Sequence, residues 1–112
     1  MNDNRLTEAL AIRVMGWRLA PGRFIKPDRG WTPSWRFAPL IKLEDAFELL
    51  DVCGCAYTLS GNAAGEFEAE VRIAERVGKY SGKAKPRVIT IALARALGEL
   101  PAGTFQGGGR FA

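Results

Sequence analysis

Histidine is missing from this chain altogether, and cysteine and methionine occur twice each in 112 residues. Without histidine there can be no Ser-His-Asp or Cys-His nucleophile and no histidine-ligated metal. The two cysteines, Cys53 and Cys55, sit together in DVCGCAY. A structural zinc site needs about four ligands, and no second cysteine pair is available to complete one. The CGC stretch therefore reads either as a redox pair or as two small reduced thiols between a helix end and a strand start. Long apolar runs are also missing, and none approaches the ~20 residues needed to cross a bilayer. The first ten residues, MNDNRLTEAL, carry acids and amides where a signal peptide needs a basic region followed by an apolar one. The expectation is a cytoplasmic protein that needs no metal, cofactor or disulfide and is not an enzyme.

Hydrophobic residues make up 47% of the chain and charged residues 25%, ordinary values for a globular domain. At this length one core can form without a covalent staple. The net charge of +4 is distributed in blocks. Residues 1–42 hold eight Lys/Arg against three Asp/Glu, net +5; residues 43–75 hold one against eight, net −7; residues 76–112 hold seven against one, net +6. Two basic segments can bind a polyanion, or can compensate the acidic middle once folded. They can also pair with the acidic block of a second copy, giving a homodimer.

Hydrophobic spacing orders the elements. Leu6, Leu10, Ala11 and Val14 form one stripe of a first helix, with Asp3 or Asn4 to cap it and Gly16 to end it. Pro21-Gly22 predicts a turn between short flanks, Trp17–Leu19 and Arg23–Ile25, that can pair as a hairpin. Trp31–Phe37 is expected to be irregular, because Pro33 and Pro39 deny it a central strand position. Leu43, Ala46, Phe47 and Leu50 share a face of a second helix, stopped by Gly54. Two strands follow. In the second, Phe67, Ala69, Val71 and Ile73 alternate with Glu66, Glu68, Glu70 and Arg72, so one face is buried and one is wet. GKYSGKAK reads as a basic loop, and Pro86 to Leu97 as a last helix whose alanines let it sit close to a sheet. The expected fold is α+β, with helices packed on a short antiparallel sheet in the order helix, hairpin, helix, strand, strand, helix. One domain is expected over residues 1–98, with residues 99–112 a flexible glycine-rich tail.

Four motifs in this order, ALAIRVMGW, WTPSW, AFELLD and FEAEVRIAERVGKYSGKAKPRVITIALARALG, resemble the phage ABA sandwich domain over roughly Glu8 to Gly98. That family consists of small proteins of tailed phages and prophages. The resemblance implies an α/β sandwich and a phage or prophage origin, and carries over no catalytic residue. The stretch between Gly16 and Trp31 and the glycine-rich end lie outside it.

Three groups of residues carry chemistry. Trp17, Phe24, Trp31, Trp35 and Phe37 are interleaved with Arg18, Arg23, Lys26, Arg29 and Arg36. Aromatics beside arginines make a stacking and phosphate-binding surface in single-strand binders. Equally, they can wedge an irregular segment onto the core, and an exposed Trp31 or Trp35 favours a protein interface. Lys79, Lys83, Lys85 and Arg87 precede or open a helix, where anions are favoured. This stretch is similar to the last basic loop and helix of a double-stranded-RNA-binding domain, but only two strands are legible where that domain has three. Glu66, Glu68 and Glu70 line the wet strand face as an acid pair or hard-cation site would, and as any solvated strand does. The leading expectation is an accessory protein that binds a host or phage protein, such as an inhibitor of a host defence system of the anti-CRISPR kind. The alternative is a duplex RNA- or DNA-binding module using Lys83, Lys85, Arg87 and the Trp/Arg segment.

Overall fold

The computed structural model describes residues 2–100. Three helices and two three-stranded antiparallel sheets make a mixed α+β fold. The order is α1 (Asp3–Arg13), β1 (Arg18–Ala20), β2 (Arg23–Ile25), β3 (Trp31–Pro33), a single 3₁₀ turn (Ser34–Arg36), α2 (Leu43–Cys53), β4 (Ala56–Gly61), β5 (Phe67–Ile73), β6 (Arg76–Gly82) and α3 (Lys85–Leu97).

Asn2 caps α1, its side chain accepting from the Arg5 N–H at 2.8 Å. The helix stops three residues before the glycine expected to end it. Gly16, at φ 72°, instead turns the chain so that the Trp17 N–H reaches the Ala11 carbonyl at 3.1 Å. Gly54 and Gly98 take left-handed C-cap conformations, ending α2 and α3 as their positions predict.

α3 is the centre of the core. Nine of its thirteen residues are buried, and it packs on β5 and β6 on one side and on α2 on another. Its buried Thr90 hydroxyl donates to the Pro39 carbonyl at 2.8 Å, tying the helix to the segment that leads into α2. Ion pairs pin α1 alongside: Arg87 to Asp3 at 2.9 Å near the start of α3, and Arg13 to Glu99 at 2.7 Å just beyond its end. The two helices therefore run in the same direction. The inner face of the small β1–β2–β3 sheet joins the same core through Phe24, whose ring lies 5.7 Å from Trp17 and 6.1 Å from Phe37.

Two expectations need correction. Trp31–Pro33 is not irregular but a short strand, paired Ile25 to Trp31 and Arg23 to Pro33. It is an edge strand, where the missing N–H of proline is tolerated. Nor is the GKYSG stretch a loop. It belongs to β6, joined to β5 by the two-residue turn Ala74-Glu75, with Ala74 at φ 55°. The beginning of the expected tail is also part of the fold, since Glu99 pairs with Arg13 and Leu100 packs against the core. The rest of that expectation, residues 101–112, lies outside the described residues. No helix among the described residues is long and apolar enough to cross a membrane.

Candidate interaction surface

The Trp/Arg stretch is divided by strand alternation. Phe24 and Thr32 are neighbours across β2 and β3 and both point inward. Arg23, Ile25, Trp31 and Pro33 therefore point outward, with Arg18 and Ala20 beside them on β1. Trp17 is buried beneath Lys26, whose ammonium lies 5.4 Å from its ring centre, and serves the core. Trp31 and Trp35 do not, being 61% and 71% exposed. The Arg23 guanidinium sits 5.7 Å from the Trp31 ring centre, and that of Arg36 5.4 Å from the Trp35 ring centre. Such contacts contribute about 0.5–1 kcal/mol at exposed sites and restrict the indole to fewer orientations. Arg29 stands apart from these pairs. It occupies the turn between β2 and β3 at φ 73°, with its N–H on the Lys26 carbonyl at 3.1 Å.

Trp35 also forms one wall of a groove of about 410 Å³. Ile41, 78% exposed, lines it as well, with Glu8 and the Arg87-paired Asp3 of α1. An exposed indole in a groove that also holds the Glu8 carboxylate suits a cationic or amphipathic protein side chain.

The second group is spread over β6, the loop after it and the start of α3. Lys79 lies on β6 and reaches the Glu70 carboxylate at 3.6 Å. Lys85 opens α3 with its ammonium 5.7 Å from the Phe67 ring centre. Arg87 is held by Asp3, and the hydrogen bond to that carboxylate raises its pKa further above the arginine norm. Lys83 alone of the four occupies the loop between β6 and α3, exposed. Finding β6 does remove one difference from the double-stranded-RNA-binding domain, because α2, β4–β6 and α3 now follow the order helix, three strands, helix.

On the acidic strand face Glu70 is ion-paired. Glu68 and Glu70 point to the open side of β5, while Glu66 precedes the strand. Arg72 donates to Glu70 at 2.7 Å, and this bond with the charges of Arg72 and Lys79 holds the carboxyl below the usual range. That is the opposite of what a general acid at neutral pH requires. Cys53 and Cys55 are both free thiols. Burial, and then the neighbouring Cys53, push the Cys55 thiol up to about 11. Its thiolate is therefore scarce at neutral pH, and iodoacetamide at pH 8 is expected to alkylate Cys55 far more slowly than a free cysteine. The rate should climb only as pH nears 11; rapid labelling of Cys55 at pH 7 would contradict this environment.

The chain matches no protein-family model and no curated protein sequence. Its fold is found in a phage protein. The 2.0 Å crystal structure of a phage protein from Bacillus cereus ATCC 14579 superposes with a TM-score of 0.68, over 88% of this chain and 89% of that one, at 13% identity. At that identity the likeness shows a shared fold.

Proposed function

We propose that this chain is a phage or prophage accessory protein of the ABA sandwich kind, working in the cytoplasm of a bacterial host without catalysis. It binds a host or phage protein through Trp31 and Trp35, with a host-defence or replication component as the target class. One observation carries the reading: two tryptophans stand largely exposed, each beside an arginine, Trp31 on a short sheet anchored by buried aromatics and Trp35 on the 3₁₀ turn that follows it. Tryptophan and arginine are the residues most enriched at binding hot spots. The phage origin of the structural neighbour and the order of motifs along the chain support the phage assignment.

Wild-type chain and a Trp31→Ala/Trp35→Ala double variant should be compared as baits in host lysate at physiological salt. A hot-spot tryptophan contributes roughly 2 kcal/mol or more, about 30-fold in affinity each. A specific protein retained by wild type and lost by the double variant is the expected result. A wild-type bait that retains nothing, or a variant that retains the same protein equally, would remove the reading.

Nucleic-acid binding is the second reading, favoured by the helix–three-strand–helix order of residues 43–97. It requires the Lys83→Ala/Lys85→Ala/Arg87→Ala variant to weaken duplex RNA binding and flatten its salt dependence. The ion pairs already made by Arg87 and Lys79 weigh against it.

A further inference from the structure

The two edges of the larger sheet are unlike. β6 carries Arg76 and Lys79, and the Arg95 guanidinium on α3 donates to the Lys79 carbonyl at 2.7 Å, covering part of that edge. Charge and a covering side chain are the usual protections of an edge strand. β4 has neither. Its six residues, Ala56–Gly61, include no charge and no proline, and all but Leu59 are exposed. No element among the described residues packs closely along its outer side. Next to it an apolar strip faces solvent. Tyr57 is 43% and Leu43 40% exposed, and the half-buried Phe47 ring lies 6.5 Å from that of Tyr57.

We propose that β4 pairs with β4 of a second copy, antiparallel about a twofold axis, making one six-stranded sheet across a homodimer. An uncharged strand suits itself as a partner. Paired with its own copy it meets no like charge, whereas a charged partner would find no complementary charge along it. Residues opposite one another in an antiparallel pair share a face. Tyr57 and Leu59 lie on the helix side with Val71 and Ala69, while Ala56, Thr58 and Ser60 lie on the open side with Arg72, Glu70 and Glu68. Matching faces requires the axis to pass beside a residue rather than between two, and centring the overlap of Ala56–Gly61 leaves Thr58 or Leu59. The Thr58 register pairs Tyr57 with Leu59 of the second copy twice over, and Thr58 with its own equivalent. The threonine pair is of the kind that stabilises sheets, and the Tyr57–Leu59 pairs bury apolar surface. It also extends the Leu43–Phe47–Tyr57 strip across the junction. The nearest like charges on the open face are the two Glu70 carboxylates, three strand spacings or about 14 Å apart. Each is already paired with Arg72 and Lys79, and at that distance physiological salt screens them.

Sedimentation velocity on the full chain over a rising concentration series tests this. Wild type is expected to pass from one 12.2 kDa chain to twice that mass. Thr58→Lys places two ammonium groups side by side at the axis. Its dimer should weaken about 100-fold, the consequence of placing like charges face to face. An equimolar mixture of Thr58→Lys and Thr58→Glu should regain the doubled mass. Ser81→Lys, on the same open face but at the β6 edge, should dimerise as wild type does. Circular dichroism confirms that each variant is folded before it is scored. A wild type that stays at one chain at every concentration overturns the proposal. So does a Thr58→Lys chain that dimerises normally, or a Ser81→Lys chain that loses the dimer equally.

Discussion

Gly78→Ala is expected to cost the protein at least about 3 kcal/mol, and its melting temperature roughly 10–20 °C. The reason is geometric. β6 passes so close to α3 that a Cβ on Gly78 would be driven into the Ala92 carbonyl oxygen and the Ala96 amide nitrogen, and would stand 3.0 Å from the Arg95 Cβ. Two of these three atoms are backbone, so no rotamer change relieves the overlap. Either α3 lifts off the sheet or β6 bends, and both open the core around Ile89, Ala92 and Leu93, which are fully buried. Domains of this kind have about 5–15 kcal/mol of stability in total. Gly61→Ala on β4 is the control. Its new Cβ would meet the Glu66 carbonyl at 3.5 Å and Phe67 at 3.6 Å, ordinary contacts. Thermal unfolding of the two variants followed by circular dichroism should separate them clearly. Equal melting temperatures would mean that the helix and strand are not in this close contact.

The same glycine explains why β6 is hard to see in the sequence. Along Arg76–Gly82 the positions facing α3 are Arg76, Gly78, Tyr80 and Gly82, while Val77 faces water. That reverses the alternation by which β5 is legible, where Ala69 and Val71 point in and Glu68 and Glu70 point out. A strand that packs backbone against helix has no side chain to show in the pattern. Half of the contact is nonetheless readable from the other side, since Ala92 and Ala96 make a smooth stripe on α3. The three helices, and the glycine ends of α2 and α3, are legible because helical period and left-handed caps are local properties. The fates of the three tryptophans are not local. Trp31 points outward and Thr32 inward only because β3 pairs with β2 in one register, and a one-residue slip would exchange them. The ion pairing of Arg87 is hidden in the sequence for a similar reason. Arg87 and Asp3 are 84 residues apart, and only the parallel course of α1 and α3 brings them together.

Phe24→Ala is expected to cost about 3–5 kcal/mol, the usual range for removing a buried phenylalanine. Phe24 is 1% exposed and stands between Trp17 and Phe37, which contact each other at 4.9 Å. The small sheet has three strands of three residues each, too little to stand without such an anchor. Its loss should therefore appear first in that sheet. Near-ultraviolet signals of Trp17 should melt at a lower temperature than the helical signal dominated by α3, whereas wild type should lose both together. Coincident melting in the variant would mean that the small sheet and the α3 core form one cooperative unit. The outward face of this sheet carries Trp31, so Phe24→Ala should also abolish partner capture although Phe24 cannot touch a partner. Trp31→Ala/Trp35→Ala should abolish capture while leaving the melting temperature nearly unchanged, because both side chains are mostly exposed already. Stability and binding falling together in one variant and separating in the other is what distinguishes an anchored binding surface from a merely well-packed segment.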